Sequence, residues 1–197
     1  MGTKRQYEDE GKDSSSKKST GFWALGLISA MKDPNLIIEE DEEVVVIKDK
    51  YAKAKYHYLV LPKEDISSLN KVTKSHLPLL QHMHDVGVKM AEKHPEAEMR
   101  LGYHAVASMA RLHLHVISQD FDSPCLKSKK HWNSFTTKFF IPSEDIIAEV
   151  EKTGRVFQIT SEAAKKLLDT PLKCHKCDFQ PPNMPKLKLH IQTHYKK

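Results

Sequence analysis

Residues 111–118 read RLHLHVIS, and the reading of that octet decides the fold. Leu112, Leu114 and Val116 alternate with Arg111, His113 and His115. A period of two belongs to a β-strand, with the aliphatic side chains on one sheet face and the nitrogen-bearing ones on the other. Imidazoles on alternate strand positions stand about 7 Å apart, a spacing that suits one anion or one metal ion held between them. The plainer alternative is an amphipathic edge strand whose polar face meets water, since histidine is commonly a surface residue.

The flanking sequence supplies partners for such a strand. RLGYHAV (100–106) and YHYLVLP (56–62) are strand candidates, and LIIEEDEEVVVIKD contains two more, 36–39 and 43–48, around an acidic turn. With 112–118 these make five. Leu79, Leu80, Met83, Val86 and Met90 fall at helical spacing within 76–94, the longest helix expected. GFWALGLISAMKDP (21–34) places Trp23, Leu27 and Met31 on one stripe and stops before Pro34, and Ser143 reads as the N-cap of a helix with an acidic first turn. Strands with short connections and few, segregated helices predict an α+β fold with a five-stranded antiparallel sheet and flanking helices.

The chain has 197 residues, 39% of them hydrophobic, enough for one main domain and a small appendage. No run approaches a membrane span, the first twenty residues lack the apolar core of a secretory signal, and no membrane partner is expected. Residues 1–20, rich in Ser, Lys, Asp and Glu, read as a disordered leader. Three cysteines, two of them in one C-x-x-C, argue against a disulfide framework and leave Cys125 a free thiol. A net charge of +5 and a pI near 8.9 favour a polyanionic partner. Lysines gather in KSKKHW (127–132) and in the tail from Lys173, either a binding patch or a solvated face, whereas EEDEE (39–43) is acidic.

The carboxyl end differs in kind. Cys174 and Cys177, followed after twelve residues by His190 and after three more by His194, have the spacing of a tetrahedral Cys2His2 site for one structural zinc ion, with Phe179 and Leu187 placed to form a miniature core. QPPNMP (180–185) brings three prolines where many fingers have a hairpin strand and a helix start, which predicts a divergent finger. Lys186 and Lys188 suit phosphate contacts, and a structural or protein-binding finger is the alternative. The predicted organisation is a leader over 1–20, a main domain over 21–153, a connecting segment over 154–170 and a finger over 171–197. A finger appended in this way is expected to lose its fold without zinc while the main domain is largely spared.

KDKYAKAKYHYLVLPKEDISSL (48–69) and GYHAVASMARLHLHVISQDFDSPCLKSKKHWNSF (102–135) together resemble the histidine-triad nucleotide hydrolase and transferase superfamily, and the continuation into a terminal finger resembles a branch of it that acts on DNA. Members of that branch often carry an amino-terminal forkhead-associated domain, for which this sequence has no counterpart. The family pattern is His-φ-His-φ-His-φ-φ, and Arg111 stands here in place of the first histidine.

The resemblance implies that His113 is the nucleophile and His115 a phosphate ligand, with His57 and His104 assisting as ligands or in proton transfer. Arg111 would hold a phosphate oxygen, Ser108 the phosphate as well, and Asp49 the ribose hydroxyls. Leu25, Leu27, Ile28 and Ile47 would wall an adenine pocket, or belong to the ordinary core. Trp23 would stack on a terminal base, or anchor its helix in the core. Lys53, Lys127, Lys129, Lys130, His131 and Ser134 would position a DNA backbone.

The implied activity is removal of AMP from adenylated DNA at nicks or ends left by abortive ligation, in single-strand break repair, through an adenylyl-histidine and without a catalytic metal. RNA–DNA junctions are a further implied substrate form. Two rivals stand beside it: hydrolysis of small adenylates such as dinucleoside polyphosphates or phosphoramidates, and an inactive DNA-end binding module, prompted by Arg111. A monomer is expected. A DNA substrate implies the nucleus, with mitochondria as a second compartment.

Overall fold

The structure, a computed structural model, describes residues 26–195; Trp23, Leu25 and the 1–20 leader lie outside the described residues. The alternation in 111–118 holds in three dimensions. Leu112, Leu114 and Val116 join a core with Val44, Val46, Val60, Leu80 and Met83, while His113 and His115 face the other way. Among the described residues six strands form one antiparallel sheet: β1 (Ile37–Glu40), β2 (Val44–Lys48), β3 (His57–Pro62), β4 (Met99–His104), β5 (Leu114–Ser118) and β6 (Phe140–Pro142), in the order β1-β2-β3-β5-β4-β6. β6 is the strand the sequence pattern missed, because three residues are too few to show a period.

Register sets up the site. His115 lies opposite Leu59 on β3 and Gly102 on β4, and His57 lies opposite Ile117. One sheet face therefore gathers His57 and His115 beside Gly102. A Cβ on Gly102 would stand 2.4 Å from the Ile141 carbonyl and 2.6 Å from the Phe140 ring, so only glycine allows β6 and Phe140 to close on β4 there. The opposite face is covered by α2 (Leu77–Glu92), whose Leu79, Leu80, Met83, Val86 and Met90 are buried as their spacing predicts.

Four helices depart from expectation. The first, α1 (Gly26–Ala30 among the described residues), ends at Ala30, short of the expected stop before Pro34, with Leu27 buried against Val45, Ile47, Leu59 and Leu61. α3 (Lys129–Thr136), capped by the Ser128 side chain, takes Lys129 and Lys130 into its first turn, leaves Lys127 before the cap, and buries Trp132, Asn133 and Phe135. In α4 (Ser143–Thr153) Ser143 is the first helical residue and not the cap: its hydroxyl is buried and hydrogen-bonds His84 Nδ1 at 2.8 Å. The helix ends at Gly154 with φ 77, the left-handed conformation glycine adopts without strain. Residues expected only to connect contain α5 (Ser161–Asp169), capped by Thr160 and packed on α3.

The carboxyl end carries α6 (Met184–Gln192), started by the Asn183 cap with Pro185 in its first turn and preceded by bends and turns, the divergent form the prolines predict. Leu187 is fully buried, but Phe179 is 42% exposed and rests on the His190 ring, a correction to its expected place in the finger core. The larger correction concerns independence. Leu172, Met184, Leu187 and Ile191 share one core cluster with Ile117, Phe121, Leu126, Trp132, Phe135 and Phe140. The finger's apolar side chains therefore share the sheet's core and do not enclose one of their own. Lys188 Nζ on the Ser123 carbonyl, Tyr195 OH on the Gln119 carbonyl and an ion pair of Lys176 with Glu98 close the same seam.

Candidate active site and zinc centre

β3, β4 and β5, with His113 just before β5, bring four imidazoles to one place. The His115 ring lies 4.8 Å from that of His113, 4.4 Å from that of His104 and 5.2 Å from that of His57, centroid to centroid. Phe135, projected from α3, touches three of them: its ring stands edge-on to His57 and His115 and tilted to His104, at 5.4, 5.3 and 4.7 Å. No local pattern marks Phe135 as a site residue, since it lies twenty residues beyond the histidine strand and reaches the cluster only through tertiary packing.

Hydrogen bonds settle the tautomers. A carbonyl can only accept, so the 2.7 Å contact of His113 Nδ1 with the Arg111 carbonyl places the proton on Nδ1 and leaves Nε2 with a lone pair. At His57, Nδ1 accepts from the Lys53 amide at 3.1 Å; Nε2–H therefore donates to His115 Nδ1 at 2.9 Å, which puts the His115 proton on Nε2. His115 Nε2 and His104 Nε2 are buried with no hydrogen-bond partner among the described residues. Two orphaned ring nitrogens side by side call for a polar ligand, because an unmet buried donor is costly.

All four rings are held neutral. Burial lowers His57 to about 4, although the Asp49 carboxylate lies 3.3 Å from its Nδ1, and the Lys53 ammonium opposes its charging further. Burial likewise holds His104 and His115 well below the usual histidine range and lowers His113. The site thus contains an unprotonated nucleophilic nitrogen and neutral N–H donors at ordinary pH. Asp49, His57 and His115 are compact enough to hold an ion, yet both ring nitrogens of His57 are already engaged by Lys53 and His115.

The other expected residues divide clearly. Asp49 lies at the edge of the cluster; Ser108 is exposed in the loop between β4 and β5; Leu27 and Ile47 are buried in core, and Ile28 is half-buried. Arg111 does not join the cluster. Its guanidinium donates instead to Asp65 Oδ1 at 2.7 Å and to the carbonyls of Pro62 and Lys63 at 3.1 and 2.7 Å. Lys127, Lys130 and Lys186 are exposed, whereas Lys129 Nζ donates to the Asp169 carbonyl and Lys188 Nζ to that of Ser123. His131 Nδ1 accepts from the Lys127 amide, Ser134 Oγ donates to the His131 carbonyl, and Lys53 Nζ bonds the Tyr51 carbonyl.

At the finger, Cys177 Sγ lies 3.1 Å from His190 Nε2 and 3.6 Å from His194 Nε2, and Cys174 Sγ lies 3.5 Å from His194 Nε2. Metal–ligand bonds of about 2.0–2.3 Å in a tetrahedron imply edges of roughly 3.3–3.8 Å, so two thiolates and two imidazoles converge as structural zinc requires. Zinc held there would tie α6 to the C-x-x-C loop; its four protein ligands leave no open position for chemistry.

Comparison with known proteins agrees with this construction. Residues 22–131 match the family described as "Scavenger mRNA decapping enzyme C-term binding", and residues 136–197 match "C2HE / C2H2 / C2HC zinc-binding finger". The chain is 54% identical over 186 residues to aprataxin of Gallus gallus, covering 93% of this chain and 58% of that protein, and 53% identical over 180 residues to aprataxin of Danio rerio, covering 90% and 55%. It spans little more than half the length of these curated relatives. The crystal structure of aprataxin ortholog Hnt3 in complex with DNA superposes with a TM-score of 0.70 at 24% identity, over 89% of this chain and 94% of that one, and has the same fold. The first match takes in more than half of the chain, and the chain accordingly belongs to the family of scavenger mRNA decapping enzyme C-terminal binding domains, as a homologue of the aprataxins with a zinc-binding finger.

Proposed function

We propose that the chain is a DNA 5'-adenylate hydrolase, removing AMP from abortive ligation ends in single-strand break repair. The observation that carries this reading is the His113 tautomer: Nδ1–H is spent on the Arg111 carbonyl, so Nε2 is an unprotonated nucleophile, and the neighbouring His115 Nε2–H is left without a protein partner. His113 Nε2 attacks the α-phosphorus, the N–P bond forms, and the P–O bond to the DNA 5'-phosphate breaks with its electron pair leaving on that phosphate. His115 Nε2–H holds a non-bridging oxygen as charge builds, and the neutral His104 ring stands beside it as a further phosphate ligand; the leaving phosphate departs as an anion and needs no proton. Water then adds to phosphorus and loses a proton, the N–P bond returns its pair to Nε2, and AMP departs. None of these steps uses a metal ion.

DNA as the substrate is supported by the lysines at the start of α3 and by aprataxin relatives, one of whose orthologs is described in complex with DNA. Exposed Lys127, Lys130 and Lys186 would meet phosphates. The deciding experiment compares turnover of a 5'-adenylated nicked duplex with that of diadenosine tetraphosphate at matched low concentration. The nicked duplex is expected to turn over faster; a clear preference for the small substrate would refute the DNA assignment. RNA–DNA junctions, a monomeric state and a nuclear or mitochondrial location belong to the same proposal.

A further inference from the structure

The nucleophile stands one residue outside the sheet's ladder. β5 begins at Leu114, whose partner is Val60, and no strand pairing extends back to Arg111, Leu112 or His113. Yet the Arg111 carbonyl is the acceptor that fixes the His113 tautomer, so something other than the ladder has to hold that peptide still. Two anchors do so. The Leu112 amide donates to the Ile66 carbonyl at 2.7 Å, and the Arg111 fork grips the end of β3 through Asp65, Pro62 and Lys63.

From this geometry we infer that Arg111 is a positioning residue: its side chain clamps its own peptide so that the carbonyl meets His113 Nδ1 and Nε2 stays free for attack. The inference rests on the proposed reaction for its consequence, but not for its geometry. A phosphate-binding role fits these contacts poorly. The residue is 7% exposed, both terminal nitrogens are committed to protein acceptors, and Nε is buried without a partner. Turning the fork toward a phosphate would strip buried carbonyls of their donor. An imidazole has two ring nitrogens and cannot span a carboxylate and two carbonyls at once, whereas the planar guanidinium can.

The test separates the clamp from the activity. Nitrogen-15 spectra of the imidazoles, with His113 assigned by loss of its signals in His113→Gln, report the tautomer without any substrate. The native chain is expected to show the Nδ1–H form, and Arg111→Ala a mixture of both forms. On adenylated duplex, Arg111→Ala is expected to lower kcat about tenfold with KM changed less than about twofold, as misplacement of a reacting group does. Arg111→Lys keeps the charge without the fork and is expected to fall between; it replaces the alanine variant in both measurements should that variant not fold. A His113 that keeps Nδ1–H in these variants overturns the inference, as does a large rise in KM at unchanged kcat. If the native chain turned over no adenylate at all, the spectra would still decide the clamp while the proposed function failed.

Discussion

The indole of Trp132 stands edge-on to His175, ring centroids 5.3 Å apart, so the residue between the finger's two cysteine ligands is packed into the aromatic cluster of the catalytic sheet. Trp132 Nε1 also donates to the Lys173 carbonyl at 3.0 Å. One turn along α3, Phe135 touches the imidazoles. The finger and the site are thus two ends of one hydrophobic unit.

Zinc removal is therefore predicted to damage both activities. Chelation, or Cys177→Ser, should lower hydrolysis of adenylated DNA and of a small adenylate together, each by at least about tenfold, because folding of such sites draws on metal binding. Parallel assays on the two substrates check this. A small-substrate rate within twofold of the untreated protein would show that the finger is separable.

Acid should unfold the chain earlier than its carboxylates alone would. His57 is held at about 4 in the fold against 6.5 in the unfolded chain, and His104, His113 and His115 are lowered in the same direction. The unfolded state binds these protons first, so the stability is complete above pH 6.5 and is lost as pH falls from there through about 4. His57 alone accounts for about 3 kcal/mol across that window. Thermal unfolding followed from pH 7.5 to 4.5 checks the sign: a midpoint that did not fall between pH 6.5 and 5 would contradict it.

How far the sequence carried this structure follows from range of interaction. The alternation at 111–118 and the helical spacing of Leu80, Met83 and Met90 are local, and both survive intact. The Cys2His2 spacing is local too. What escaped needed distant partners: β6 exists because Gly102 lets Phe140 close on β4, and Phe135 enters the site only because α3 packs beneath it. Period two put Arg111 on the imidazole face, but it precedes the ladder and its long side chain follows the acceptors at the end of β3.

Truncation at the centre of that packing gives a further prediction. Phe135→Ala is expected to cost about 3–5 kcal/mol, the usual price of emptying a buried aromatic site, and to lower kcat by loosening three imidazoles at once. Chemical denaturation and steady-state kinetics measure the two effects. A loss under 1 kcal/mol would mean that the cluster is held by the strands alone.

The lysines before and at the start of α3 should not behave alike. Lys127→Gln and Lys130→Gln are expected to flatten the salt dependence of DNA binding, each lost phosphate contact reducing the log–log slope by about 0.9. Lys129, which holds the Asp169 carbonyl at 2.8 Å, should affect stability more than the salt slope. Titrations at several salt concentrations separate the cases; equal slopes for all three variants would contradict the distinction.

The central claim is that His113 Nε2 becomes covalently bonded to the adenylyl group. A rapid-quench reaction with adenylated nicked DNA, digested and analysed by mass spectrometry, should find one AMP on His113 within a single turnover and none in His113→Gln. An active chain that yields no adduct, or carries it on another residue, would contradict the account.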